Sequence, residues 1–302
     1  MKIGIPRAML FHRYKTLWKT FFDELGIETV ISPKTDKSIL DVGSRYGIDE
    51  ACLSSKLLWG HIDRLADKCD AIFVPRYANY AGDGVLCTRF EALYEMAQNS
   101  FRDRDLKFIC LDVDENERLD EEKAFERLAV SLGKTKAEGS TAYKKAYITW
   151  ISEQNELDKN SCALSEGEGI KVLVVGHSYN VSDEYIGVPI IKTLKELGVT
   201  PIIATEVNLE KTRREYQKIC KNVPWIVNRE LLGAIARFKD RVDGIVLITA
   251  FPCGPDSMTN EMVIRRVKNI PILNLLLDSQ DGNAGIDTRL ESFVDIMRYR
   301  NV

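Results

Sequence analysis

The sequence has no window of 18 apolar residues, so it offers no candidate for a membrane-spanning helix. It has no Cys-x-x-Cys pair, so the tight ligand spacing of structural zinc sites is missing. Gly-x-Gly-x-x-Gly and Walker A patterns are also missing, which argues against a nucleotide held by the chain itself. No basic excess is present: 42 Lys and Arg stand against 45 Asp and Glu, for a formal charge of −3. A nucleic-acid surface usually carries such an excess, so neither nucleic acid nor membrane is expected as a partner. The opening, Met1 to Arg7, enters a short apolar strand with no basic region ahead of a long apolar stretch. It therefore does not read as a signal peptide, and a cytoplasmic location is expected. The one acidic stretch, Asp112 to Glu122, is interrupted by Arg118 and reads as a solvated loop and helix start.

What is present is an ordinary globular composition, 45% hydrophobic and 29% charged over 302 residues, long enough for about two domains. Short uninterrupted apolar runs recur from end to end: 2–6, 29–32, 71–75, 107–111, 171–175, 201–204, 244–249 and 270–275. Such runs belong to parallel strands covered on both faces. The segments between them show helical spacing, as in Leu17, Phe21, Phe22 and Leu25, or Ile190, Ile191, Leu194 and Leu197. Laid against itself, the chain sets Gly4 on Gly176, Glu24-Leu25-Gly26 on Glu196-Leu197-Gly198, and Val30-Ile31 on Ile202-Ile203. One further shift of a residue sets Asp70-Ala71-Ile72 on Asp243-Gly244-Ile245. The expected fold is α/β: two similar, doubly wound, parallel-sheet lobes of Rossmann-like type with a site in the cleft between them. Residues 119–158 read as mostly helical, and Asp158 to Gly169, polar and without periodicity, reads as a linker. The expected lobes are then 1–160 and 161–302.

The seven cysteines are odd in number and widely spaced. In a reducing compartment such thiols pack, act as nucleophiles or ligate metal. Cys110 in an apolar strand, Cys69 at a helix end and Cys220 in a helix read as packing, and Cys162 falls in the linker stretch. Cys87 and Cys253 differ, because each follows the carboxyl end of a strand, Cys87 in a Gly-rich loop and Cys253 in Phe251-Pro252-Cys253-Gly254-Pro255. Cys52 precedes the helical run Leu53, Leu57, Leu58, Ile62 and Leu65, and a helix N-terminus favours a thiolate. Ligands of open parallel sheets bind beyond the carboxyl ends of the strands. Thiolates select zinc, copper(I) or iron–sulfur clusters. Scattered single cysteines suit a cubane better than zinc. A cubane normally takes four, so three leave one iron open. On spacing alone, a cluster and three unrelated buried thiols both stand.

Several segments together resemble one family. They are Ile3-Gly-Ile-Pro-Arg7 with Tyr14, Trp18, Phe21-Phe22 and Leu25-Gly26; Glu50-Ala-Cys52 with Lys56 and Gly60-His61; and Val74-Pro75-Arg76 followed by Cys87. Further along come Val175-Gly-His-Ser-Tyr-Asn180 with Asp183, Phe251-Pro-Cys-Gly-Pro-Asp-Ser257, and Leu277-Asp278 through Ala284-Gly285 to Thr288 and Phe293. Through most of its length the chain resembles the 2-hydroxyacyl-CoA dehydratase-related proteins that accompany ATP-dependent CoA-dehydratase activases. The departures are local: Ser54 and Ser55 where the family often has Pro after its first cysteine segment, Thr88-Arg89 after Cys87, and Gly-His-Ser in place of Gly-Arg-Pro.

The resemblance implies a low-potential 4Fe-4S cluster held by Cys52, Cys87 and Cys253 with one iron open. It also implies electrons from a separate activase that hydrolyses ATP. In true dehydratases the electron makes a ketyl radical from the thioester and water then leaves. Some relatives carry a double cubane on six cysteines, which the three well-placed ones here do not supply within one chain. Two roles follow: a redox enzyme or lyase subunit that reduces a small molecule or acyl-CoA at the open iron, or a non-catalytic electron carrier, cluster scaffold or activase-docking component; apart from the resemblance, a zinc-binding structural protein is a third reading. A homo- or heterodimer is expected. His177, after a strand end, reads as a proton donor, a hydrogen-bond donor to the cluster, or a loop-ordering residue. Tyr179 and Asn180 read as donors to a ligand oxygen or a cluster sulfide, or as a helix-start turn. Asp183 reads as the N-cap of a helix over 184–197, Lys56 and Arg76 as anion contacts or surface charge, and His61 as mid-helix packing.

Overall fold

In the computed structural model the described residues are 1–80, 82, 84–279 and 285–300. Ala81 and Asp83 of the Gly-rich loop, and Ala284 of the closing segment, lie outside them. The chain divides into two compact units, Met1–Glu153 with Pro224–Ile226, and Gln154–Val223 with Val227–Val302.

Unit 1 runs β1 (Lys2–Ile5), α1 (Phe11–Glu24), β2 (Glu28–Ile31), α2 (Lys37–Tyr46), α3 (Leu53–Leu65), β3 (Ala71–Phe73), β4 (Arg76–Asn79), α4 (Thr88–Glu91), α5 (Leu93–Ser100), β5 (Phe108–Ile109), β6 (Asp112–Asp114), α6 (Glu121–Ser131) and the start of α7 (Lys136–Glu166). Its main sheet has the order β2-β1-β3-β5, with every pairing parallel. Unit 2 adds β7 (Lys171–Val175), α8 (Ser178–Val181), α9 (Gly187–Glu196), β8 (Thr200–Ile203), α10 (Leu209–Glu215), α11 (Ile226–Phe238), β9 (Gly244–Ala250), α12 (Gly254–Arg266), β10 (Ile272–Leu277) and α13 (Ile286–Arg300). Its sheet, β10-β9-β7-β8, is again parallel throughout. In each sheet the first strand pairs outward with the second and inward with the third, so the strand order reverses beside the first strand.

The internal repeat has a physical counterpart in each unit, although Gly4 lies within β1 and Gly176 follows β7, so those two glycines are not equivalent. The Lys2 N–H donates to Asp70 Oδ2 at 2.7 Å while the Asp70 N–H donates to the Lys2 carbonyl at 2.8 Å. In unit 2 the Lys171 N–H donates to Asp243 Oδ2 at 2.8 Å and the Asp243 N–H returns to the Lys171 carbonyl at 2.8 Å. Each clamp joins the first strand to the start of the third. Helices α1 and α9 also end alike. Gly26 at φ +66 and Gly198 at φ +74 take the left-handed conformation that glycine adopts without a Cβ penalty. The next residues close the cap, Ile27 N–H onto Phe22 O at 2.9 Å and Val199 N–H onto Leu194 O at 3.0 Å.

Three expectations are corrected. The stretch read as a linker is the last part of α7, which runs helical to Glu166. Its buried face is polar: Asp158, Ser161 and Ser165 are all buried at helical spacing, so an apolar periodicity could not reveal it. Asp158 accepts from Arg237 at 2.6 Å and from the Asn208 N–H at 2.9 Å, and Cys162 lies 3.0 Å from Arg237. The helix expected over 184–197 begins only at Gly187, with Ile186 rather than Asp183 at its N-cap; Asp183 instead accepts from the N–H groups of Tyr185 and Ile186 at 2.8 and 3.0 Å, in the turn ahead of the helix. Cys220 follows a single 3-10 turn, Tyr216–Lys218, rather than sitting in a helix.

In unit 1, α2 and α3 meet backbone to backbone. A Cβ on Gly43 would run into the Lys56 carbonyl, and one on Gly60 into the Ile39 carbonyl. His61, next along α3, is fully buried, as its packing reading requires. Its Nδ1 lies 2.8 Å from Ser32 Oγ and its Nε2 3.0 Å from Thr35 Oγ1. Burial first, then the nearby charges of His12 and Arg7, push its pKa down from 6.5 to about 3. The crossing and this buried ring set the placement of α3, and thereby of Cys52 at its start.

Gly60→Ala should lower stability by about 1–3 kcal/mol, because backbone cannot yield to a new methyl. Gly167→Ala, whose Cβ meets nothing nearer than 3.5 Å, serves as the control in urea unfolding. Equal midpoints for the two variants would contradict the close crossing. His61 also predicts a pH slope. The unfolded chain takes up this proton near 6.5 and the fold only near 3. The stabilisation is therefore complete above 6.5 and is lost progressively as pH falls toward 3. By pH 5 the loss is about 2 kcal/mol. His61→Gln should flatten that part of the stability profile, and an unchanged slope would count against the assignment.

Candidate functional site

In unit 2 the strand order reverses between β7 and β9, which are adjacent and parallel. The loops beyond the carboxyl ends of two such strands form the crevice where open α/β sheets bind ligands. His177 follows β7 and is the N-cap of α8, and Cys253 follows β9 and is the N-cap of α12. Asp256, in the first turn of α12, lies buried against both. One ring nitrogen of His177, the thiol sulfur of Cys253 and a carboxylate oxygen of Asp256 all lie within 4.8 Å of one another.

The organising contact is that of His177 Nε2 with Asp256 Oδ1, at 2.8 Å, with the two side chains only 6% and 4% exposed. Asn228 on α11 donates its Nδ2 to the same oxygen at 2.9 Å and to Thr259 Oγ1 at 3.1 Å. Burial alone would raise the Asp256 carboxyl. The His177 ring, Asn228 and the Cys253 side chain outweigh it and hold the carboxyl below its ordinary range. An ionised carboxylate only accepts hydrogen bonds, so His177 Nε2 carries the proton of this pair. Tyr179 stacks on the imidazole at 4.8 Å between centroids and 7° between planes, and Asn180 is buried behind the same turn, its N–H on the His177 carbonyl at 2.8 Å. The ring is thus fixed by an edge contact and a face contact. His177 Nδ1 and Asp256 Oδ2 are buried with no hydrogen-bond partner among the described residues. A small cavity lined by Gly176, Asn228, Thr259 and Asn260 adjoins Asp256.

In unit 1, Cys52 is the N-cap of α3 and Cys87 the N-cap of α4. Arg89 Nη2 reaches the Glu50 carbonyl at 3.4 Å, so the two cysteine loops adjoin. Cys52 Sγ lies 3.1 Å from Ser55 Oγ, one of the two serines that depart from the resembled pattern. Strand β4, which apolar runs did not reveal, sets the Cys87 loop: the Leu86 N–H donates to the Ala78 carbonyl at 2.9 Å. Val85 pairs with the Pro224–Ile226 segment, its N–H on Pro224 O at 3.0 Å and its carbonyl accepting from Ile226 at 2.9 Å. Lys56 is buried, and its Nζ donates to the Asp49 carbonyl at 3.1 Å, in the loop that leads to Cys52. Arg76 is held by Asp112 at 2.5 Å, Asp114 at 3.5 Å and Glu91 at 3.8 Å. Of the other cysteines, burial raises the thiols of Cys69 and Cys110, that of Cys110 to about 12.

Residues 2–207 match the family described as "CoA enzyme activase uncharacterised domain (DUF2229)". The chain belongs to this family. The match places the protein among activase-related CoA-enzyme proteins, and it contains Cys52, Cys87 and His177. Among curated proteins, none matches. Solved structures similar over nearly the whole chain include the SBP FpvC of P. aeruginosa in complex with Ni2+, at 14% identity and TM-score 0.30, covering 99% of this chain and 96% of that one. They also include ZnuA, at 10% identity and TM-score 0.26, covering 99% and 98%. A third is a LacI family transcriptional regulator from Arthrobacter sp. FB24 in complex with lactose, at 13% identity and TM-score 0.22, covering 98% and 89%. Likenesses at these scores carry no argument about this protein. No helix among the described residues is long and apolar enough to cross a membrane.

Sequence reasoning did not single out Asp256, Asn228 or Thr259. The signal for Asp256 was an acid three residues after a cysteine that begins a helix, and for Asn228 and Thr259 there was none, because their partners lie far away in sequence. Asp256→Ala leaves His177 Nε2 and Asn228 Nδ2 buried without an acceptor and should cost about 2–4 kcal/mol. Asp287→Ala, which removes one exposed bond to Thr193, should stay within about 0.5 kcal/mol. Similar unfolding midpoints for the two variants would show that Asp256 does not organise the site.

Proposed function

We propose that this protein is a 4Fe-4S component of an activase-dependent CoA-dehydratase system, with Cys52, Cys87 and Cys253 as cluster ligands and a separate ATP-dependent activase as electron donor. One observation carries the reading. Cys52, Cys87 and Cys253 each stand at a helix N-cap without capping that helix by a side-chain hydrogen bond, and none of Cys69, Cys110, Cys162 and Cys220 does. All three are partly exposed, and each directly precedes the first turn of its helix. The donor set suits the group, since thiolates select iron–sulfur clusters and the positive ends of α3 and α12, of 13 residues each, complement the negative charge of a bound cluster. Family membership supports an activase as the partner.

When bound, the cluster supplies one-electron chemistry at low potential, with one iron lacking a cysteine. The chain's own residues hold and orient it. Ser55 lies against the Cys52 sulfur, and Lys56 secures the loop before it. Arg76 and its carboxylates shape the neighbouring strand, so this reading gives both cations a positioning role ahead of anion binding. Asp256 orients Cys253 and keeps a proton on His177 Nε2. Reduction of a small molecule or acyl-CoA is the enzymatic form of the proposal. The burial of His177 favours the second form, an electron carrier or docking component, over protonation of a substrate by that ring.

Anaerobic purification or reconstitution should yield about four irons and four sulfides per chain, with a broad visible absorption band. The content should fall in each of the Cys52, Cys87 and Cys253→Ala variants and persist in the Cys69, Cys110, Cys162 and Cys220→Ala variants. No iron after anaerobic reconstitution, or loss that does not follow the N-cap cysteines, would overturn the proposal.

A further inference from the structure

We infer that, in cluster-free protein, unit 2 by itself holds one divalent borderline-soft cation, of the zinc class, on Cys253, His177 and Asp256. The inference rests on no part of the cluster reading except that both use Cys253. All three donors belong to one unit, and Cys52 and Cys87 take no part.

The first observation is the donor set. A thiol sulfur, an imidazole nitrogen and a carboxylate oxygen converge within 4.8 Å. Zinc bonds to these atoms are roughly 2.3, 2.0 and 2.1 Å long, so tetrahedral donors sit roughly 3.3–3.6 Å apart. The 2.8 Å contact of His177 with Asp256 must open by a few tenths of an ångström and the wider gaps close by about one ångström. Side-chain rotation suffices for both; ligation by Nε2 moves its proton to Nδ1, and the Cys253 thiol releases its proton to solvent. A thiolate and a carboxylate bring two negative charges, which neutralise a divalent ion. Mixed sulfur, nitrogen and oxygen donors suit zinc over magnesium or calcium. Three protein ligands leave a fourth position for water.

The second observation is independent of the cluster's composition. His177 Nδ1 and Asp256 Oδ2, on side chains 6% and 4% exposed, are buried with no hydrogen-bond partner among the described residues. Native interiors rarely leave such atoms, and each costs about 1–3 kcal/mol unless a ligand meets it. A cation bound to the carboxylate beside His177 gives the Asp256 oxygen its partner. The surroundings are those of a ligated site. Asn228 and Thr259 orient the carboxylate, Tyr179 fixes the plane of the imidazole, and the whole set stands at the carboxyl ends of β7 and β9.

The test uses the full chain, purified in air and stripped with a chelator, then titrated with Zn2+ while bound metal and thermal midpoint are followed. We expect one zinc per chain and a rise in midpoint. Affinity should drop at least tenfold in Cys253→Ala and His177→Ala, with Cys52→Ala/Cys87→Ala unchanged. Co2+ in the unsubstituted protein should give the intense near-ultraviolet band of a thiolate-to-metal transition, a readout that needs no variant to fold. No zinc uptake, uptake unaffected by loss of Cys253 or His177, uptake lost with Cys52 and Cys87, or Co2+ binding without the thiolate band would each overturn the inference. A cluster that forms only with all three cysteines, beside a zinc site that ignores two of them, would establish both readings separately.

Discussion

A carboxylate sealed away from water must be met by donors, and the second unit is arranged around one. The cost of burying an isolated ionised carboxyl exceeds the whole stability of an ordinary domain, so the group survives only where several donors converge. Around Asp256 they come from three places: His177 beyond β7, Asn228 on α11, and the Cys253 side chain at the start of its own helix. None of these can shift without leaving a buried charge exposed to nothing. The loop after β7, the loop after β9 and helix α11 are therefore fixed relative to one another by one group.

The same constraint explains why the site stands where it does. A parallel sheet whose strand order reverses leaves an open crevice at the reversal, because the connections on either side leave in opposite directions. In unit 2 that crevice is filled by polar side chains instead of apolar ones. The first strand and the third are locked at their amino ends by the Asp243 clamp on Lys171, so their carboxyl ends are held in register as well. Asn260 on α12 adds a bond to Thr249 near the end of β9, at 2.7 Å, which ties the Cys253 helix to the strand it follows. Local chain chemistry at one end of the sheet thus supports the placement of functional groups at the other.

Much of this architecture was legible because it is local or periodic. Apolar runs marked the strands of both main sheets, and Glu-Leu-Gly marked the ends of α1 and α9, where only a left-handed glycine lets the cap close. Three of the seven cysteines stood apart by their position after a strand or before a helix, and those are the three found at N-caps. What could not be read depended on partners distant in sequence. The last turns of α7 bury Asp158, Ser161 and Ser165, so their pattern looks like solvent-exposed linker until Arg237 and Asn208 are seen beside them. Strand β4 carries Arg76 and Asn79, polar residues that belong in a strand only because Asp112 and Asp114 of β6 receive them. Asn228 and Thr259 were hidden for the same reason.

The two units share a topology but not a site, and the difference lies after the third strand. In unit 2, β9 runs without break into the turn that carries Cys253, so the thiol stands close to the strand end beside His177. In unit 1, β3 ends at Phe73, and the chain makes a second short strand and a Gly-containing loop before it reaches Cys87. That added length moves the equivalent cysteine away from the strand end and toward the loop of Cys52, to which Arg89 ties it. The first strand of unit 1 is followed by Pro6 and Arg7, with no histidine at the position that His177 takes after β7. One unit therefore offers a pair of thiols and the other a single thiol with an imidazole and a carboxylate. A repeated scaffold has been given two unlike donor sets by the length of one loop and the residues that follow one strand.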